Sequence, residues 1–175
     1  TLLPPAQCSY IIGNPPFVGA KYQSELQRAQ VRQIADLGKS GGTLDFVAAW
    51  FLKAGAYGKD ASVPFAFVST NSIVQGEQVA QLWPALFEKH KLEIVFAHQT
   101  FAWGSEARGK AGVHVVVLGF EPSTQARPTR RLFSYPDVKG DPIETQHTAI
   151  SPYLIDASGL SNPHLVVREE NKPIN

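Results

Sequence analysis

The stretch Tyr10-Ile11-Ile12-Gly13-Asn14-Pro15-Pro16-Phe17 constrains this chain more than any other, because a short apolar run passes directly into a turn holding two consecutive prolines. Tyr10 to Ile12 reads as a buried strand, and Gly13 lets the backbone turn sharply where it stops. Each proline fixes φ and removes an N–H donor, and the residue before a proline is pushed out of the helical region, so Asn14 is expected to be extended. The product is a rigid pair of acceptors, the Asn14 amide oxygen and the Pro15 carbonyl, beside the flat face of Phe17. Such a pair suits a planar molecule bearing an exocyclic NH2 group: the acceptors take its two hydrogens while the ring stacks on its face. The competing reading is a proline-stiffened loop after a strand.

Asn14-Pro15-Pro16-Phe17 resembles the catalytic motif of the amino-methyltransferases, which use S-adenosylmethionine (SAM) to methylate adenine N6 or similar amide-like nitrogens. The resemblance implies a catalytic role for Asn14, Pro15, Pro16 and Phe17, with Phe17 also stacking on the target base. The chemistry accounts for these residue types. An aryl amine is a poor nucleophile because its lone pair is delocalised into the ring, and acceptors on both hydrogens favour the pyramidal form that attacks a sulfonium methyl. That is electrostatic preorganisation, which needs no strong base before transfer.

The 175 residues suffice for a sizeable core at 43% hydrophobic content. The longest apolar runs, Phe46 to Leu52 and Val115 to Phe120, are too short to span a bilayer, and no signal peptide is visible, so a cytoplasmic setting without a membrane is expected. Cys8 stands alone and the five histidines are scattered without ligand spacing, so no disulfide framework and no metal site are expected. A formal charge of +1 gives no overall nucleic-acid signature. A SAM-binding fold needs a glycine-rich turn after its first strand and an acidic residue after its second, and no such pair occurs. With no methionine and a start at Thr1, the chain reads as a piece of something larger.

Further along, Tyr22 to Leu37 has helical spacing with Gly38 as a stop, and Thr43 is expected to cap an apolar helix from Leu44 to Tyr57 ended by Gly58. Phe46, Trp50 and Phe51 read as core. Phe65 to Ser69 is a second buried strand, and Thr70-Asn71-Ser72 stands where open α/β sheets place ligand-facing loops. Glu77 to His90 reads as a helix that Pro84 kinks or restarts. Leu92 to Ala97 and Val113 to Phe120 are two more strands, joined by a loop from His98 to Lys110 that carries Phe101, Trp103, Arg108 and Lys110. Arg131 to Tyr135 and Ile143 to His147 are expected to form a hairpin, followed by an irregular tail.

Segments throughout the chain, among them Leu44 to Trp50 and Phe101 to Phe120, resemble the large bacterial DNA methyltransferases of restriction-and-modification systems. That resemblance implies the second half of the methyltransferase domain: an α/β fold with the last four strands of a seven-stranded, Rossmann-like class I SAM-methyltransferase sheet, the final two forming an antiparallel hairpin. It implies residues 1–121 as the catalytic half and 122–175 as a hairpin and irregular lead into a target-recognition domain. It further implies SAM as cofactor, double-stranded DNA as partner, a flipped adenine as substrate, and Phe101, or Trp103, closing on the base opposite Phe17. The start of the Leu44-Asp45 segment lines the cofactor pocket in the family, although for Asp45 a helix-capping role fits equally well. The isolated piece is expected to be inactive without its SAM-binding half. Its Tyr10 to Ile12 edge is expected to seek cover from the remainder of the parent polypeptide or by self-association. The rivals are a methyltransferase acting on RNA or protein glutamine, and a non-catalytic module binding DNA or a partner.

Overall fold

The computed structural model of the chain describes residues 3–36, 43–104, 113–125 and 127–166. The alternation of Phe65, Phe67 and Ser69, all buried, with half-buried Ala66, Val68 and Thr70 gives a strand, β2 (Phe65–Thr70). On one side it pairs in parallel with β1 (Ile11–Gly13), Ile11 facing Phe65 and Gly13 facing Phe67. On the other it pairs antiparallel with β4 (Val113–Pro122), which also runs antiparallel to β3 (Leu92–Trp103). The expected hairpin is present as β5 (Arg130–Ser134) and β6 (Ile143–His147). It continues the same sheet, because β5 pairs in parallel with β3. The full order is β1-β2-β4-β3-β5-β6, and the last strand of the expected four lies between the second and third.

Among the described residues, three α-helices accompany these strands: α1 (Glu25–Ala35), α2 (Ala48–Gly58) and α3 (Gly76–Pro84). Helix α1 begins three residues later than its periodicity suggested, because Ser24 and Gln27 form a reciprocal capping box. The expected stop at Gly38 lies outside the described residues. Pro84 has no N–H to continue the α ladder, and the chain passes into a wider π-type turn, Ala85–Lys89. Helices α2 and α3 pack on one face of the sheet. There Phe51 meets Phe65, Phe67 and Phe120 at centroid distances of 6.3, 5.3 and 6.0 Å, and Trp83 meets Phe120 at 5.8 Å. The indole N–H of Trp83 donates to the Ile73 carbonyl at 2.6 Å, so this buried ring carries no unpaired donor. Side chains alternate along a strand, so Ala66, Val68 and Val117 point to the opposite face, where they are only half-buried.

Several expectations need correction. Thr43 does not cap α2, which starts at Ala48 with Val47 before it and no side-chain cap. The Leu44 carbonyl, the Asp45 side chain and the Phe46 N–H are instead spent on distant partners. Trp50 is 44% exposed, on the outer side of α2, and does not belong to the core. Tyr10 and Ile12 are 66% and 80% exposed, because β1 has a neighbour on one side only. The segment His98 to Trp103, read as loop, is the second half of β3. Two irregularities, between Ile94 and Phe96 and between His98 and Phe101, break the alternation that would have revealed it. Arg108 and Lys110 lie outside the described residues.

Candidate active site

The Asn14–Phe17 turn sits at the carboxyl end of β1, the end at which parallel α/β sheets bind ligands. Asn14 is exposed and makes no hydrogen bond to another described residue, Pro15 is buried, Pro16 is exposed, and Phe17 is half-buried with part of its ring against the core. A buried proline anchors the turn while the amide before it stays available to solvent.

The residues just beyond are held from three directions. Asp45 is 8% exposed; its Oδ1 accepts from the Ala20 N–H at 2.8 Å and its Oδ2 from the Ser72 hydroxyl at 2.5 Å. Its own N–H donates to Gln78 Oε1 at 3.1 Å. The Phe46 N–H reaches the Val18 carbonyl at 2.9 Å, and Gln23 Nε2 reaches the Leu44 carbonyl at 2.8 Å. The segment after the Asn-Pro-Pro turn is thus stitched to the entry of α2 and to the loop after β2. Charge-assisted bonds of this kind are the stronger class, which explains why an acid is tolerated in so buried a position. The Asp45 side chain therefore does not cap α2; it takes the N–H of Ala20, the first residue of a short 3-10 helix, Ala20–Tyr22. Leu44 is fully buried in the core, and its carbonyl is occupied by Gln23.

A cleft of about 850 Å³ opens beside this junction, lined among others by Ala20, Tyr22, Arg28, Asp45, Ser72 and Glu77. Ser72 was flagged by its place at a strand end. No local pattern marks Ala20 or Tyr22 as lining a cleft, although the capping box at Ser24 signals a turn there. The fit to SAM is incomplete. Both carboxylate oxygens of Asp45 are engaged within the protein, Leu44 presents no surface, and no Gly-x-Gly turn follows a described strand. The described residues do not by themselves fit that cofactor. No group of three or more metal-ligating side chains occurs among them either, and no described helix is long and apolar enough to cross a membrane.

Phe101 lies at the same end of the sheet. Gly13 faces Phe67; three residues on, Thr70 faces Val115, and Val115 faces Phe101. Three strand spacings separate β1 from β3, roughly 14 Å between backbones. The Phe101 ring stacks on Tyr135 at 4.8 Å and lies 6.1 Å from Trp103, which is 45% exposed.

The strand order, with one antiparallel strand inserted beside the parallel pair and an Asn-Pro-Pro-Phe turn at its carboxyl end, defines part of a Rossmann-like methyltransferase domain. The chain belongs to the family of the MmeI DNA-methyltransferase domain, whose model matches residues 3–134. It is 37% identical to DNA methyltransferase A of Bacillus subtilis (strain 168), over 97% of this chain and 18% of that protein. Among solved structures it is similar to MmeI, a Type IIL restriction-modification enzyme determined in complex with DNA. That match has a TM-score of 0.82 and 42% identity, and covers 88% of this chain and 20% of the other. The chain thus spans about a fifth of the length of these relatives.

Proposed function

We propose that this chain carries the base-binding half of a DNA adenine N6-methyltransferase that acts on a flipped adenine and uses SAM as methyl donor. The observation that carries this reading is an exposed Asn14 before a buried Pro15, with the half-buried Phe17 ring beside them, in a chain of the MmeI family. The Asn14 amide oxygen and the Pro15 carbonyl accept the two N6 hydrogens, and Phe17 stacks on the base. Flipping a base costs a few kcal/mol, and stacking on two aromatic faces, Phe17 and Phe101, returns about 1–3 kcal/mol each. Pro16 keeps the turn from relaxing, so the acceptors are oriented before the base arrives.

Leu44 and Asp45 hold the segment that borders the donor. Because the fit to SAM is incomplete, donor binding draws on residues that the relatives carry beyond the matched fifth. The isolated chain accordingly shows no measurable SAM affinity and no transfer. Residues 1–121 act as the catalytic half and 122–175 lead towards target recognition. The outer edge of β1, with exposed Tyr10 and Ile12, is covered in the parent polypeptide or by a second copy. A methyl-transfer assay with DNA, RNA and protein acceptors, using a polypeptide extended to the relatives' length, tests the reading: transfer to DNA alone supports it, and transfer to RNA or protein glutamine in preference refutes it.

A further inference from the structure

The face of the sheet opposite α2 and α3 carries a second aromatic cluster, which the proposed reaction uses only through Phe101. Phe101 follows an irregularity in β3 and resumes the pairing opposite Val115, which fixes its backbone and leaves the plane of its ring to side-chain contacts. What holds it comes from the segment after β5. Tyr135 stacks under its ring at 4.8 Å and 22°, and the Ala102 N–H donates to the Val138 carbonyl at 2.7 Å. Tyr135 is itself located by its hydroxyl, 2.7 Å from His98 Nδ1. The His98 ring lies on Phe133 at 4.2 Å and 3°, and Phe133 lies 5.0 Å from the guanidinium of Arg131, which makes a two-pronged pair with Glu144 at 2.7 and 2.8 Å. Burial first, and then the charge of Arg131, push the His98 pKa down, so the imidazole is neutral at pH 7 and one ring nitrogen is free to accept the phenol proton.

We infer that Tyr135, held by His98, is a positioning residue for base capture: it occupies one face of Phe101 and so sets the plane of the ring that meets the flipped base. The hairpin β5–β6 is thereby coupled to the base slot through a continuous run of packed rings. This inference rests on the reading that Phe101 stacks on the target base. A stacking surface discriminates only if its plane is fixed before contact, and of the three described rings around Phe101 only Tyr135 lies flat against it, whereas His98 and Trp103 stand tilted at 6.2 and 6.1 Å.

The test has two arms. In the chain itself, the Phe101 ring resonances are recorded by NMR in Tyr135→Phe and Tyr135→Leu. In the polypeptide extended to the relatives' length, kcat/KM for unmodified plasmid DNA and KM for the methyl donor are measured for the same variants and for Phe101→Ala. Tyr135→Leu is expected to shift the Phe101 resonances and lower kcat/KM for DNA by about five- to tenfold, the lower range for loss of a stacking ring, with KM for the donor unchanged. Tyr135→Phe, which keeps the ring and loses only the bond to His98, is expected to give a smaller effect of the same sign in both arms, about two- to threefold in kcat/KM for DNA, the lower range for one hydrogen bond. Where Tyr135→Leu fails to fold, His98→Ala, which frees the Tyr135 hydroxyl, carries the same expectation. If Phe101→Ala impairs transfer while Tyr135→Leu does not, the positioning role is overturned and base stacking stands. If Phe101→Ala has no effect, the base-stacking reading itself fails. A parallel rise in KM for the donor would mark a general structural defect and also overturn the inference.

Discussion

The two faces of the sheet use the same side chains to opposite ends. On the helix-covered face, Phe51, Phe120 and Trp83 are fully buried; Phe51 and Trp83 meet Phe120 edge-on or tilted, and Phe65 stacks on it inside the same closed core. On the other face, Phe96, His98, Phe101, Phe133 and Tyr135 are only half-buried, and two of their pairs are stacked nearly flat. Sealed under helices, rings close a core to solvent whatever their tilt; stacked at an uncovered strand end, they leave a flat surface on which another flat molecule can lie. The difference teaches where a chain with many aromatics keeps its stability and where it keeps a binding surface.

Substitutions on each face can break this contrast, and the largest effect belongs to the covered one. Phe51→Ala removes a fully buried ring in contact with three others and is expected to cost about 3–5 kcal/mol, read by denaturant unfolding of the chain. An intermediate effect is expected at Gly119→Ala, where the new Cβ would stand 2.1 Å from the Phe96 ring. Because that ring is half-exposed it can swing aside, and the loss should be about 1–3 kcal/mol in the same measurement. Phe101→Ala should cost less, about 0.5–1.5 kcal/mol for a stacked pair, and a loss as large as that of Phe51→Ala would erase the distinction between the faces. The smallest effect is one of pH. His98 has a folded pKa below its ordinary value, so the unfolded chain binds the proton more readily; the contribution of neutral His98 is present above the unfolded pKa, about 6.5, and fades as pH falls below it. Unfolding midpoints at pH 7.5 and pH 5.5 should therefore differ less in His98→Gln than in the parent chain.

Much of this architecture is legible in the residues themselves, for reasons that differ by element. Val113 to Phe120 declares a strand because it is apolar nearly throughout, and the Asn14 to Phe17 turn declares itself because two adjacent prolines act locally. The second half of β3 is hidden by its irregular pairing: His98, Gln99 and Thr100 are polar, and they become strand only through β4 and β5. Thr43 misleads for a related reason. A hydroxyl ahead of an apolar run is a sound local cap signal, but Asp45 is drawn away by Ala20 and Ser72, which lie 25 and 27 residues distant in sequence. That clamp could not be read from spacing, and neither could Tyr135 beneath Phe101, because both are made by tertiary contact.

The central claim is that the Asn14 oxygen and the Pro15 carbonyl receive the amino hydrogens of an adenine. It is tested most directly by digesting plasmid DNA to nucleosides after incubation with the extended polypeptide and the methyl donor, for the parent sequence and for Asn14→Ala. N6-methyladenine is expected with the parent and none with Asn14→Ala, whose unfolding midpoint stays unchanged because the side chain is exposed. N6-methyladenine persisting in Asn14→Ala, or a methyl group found on a ring carbon, would contradict that claim.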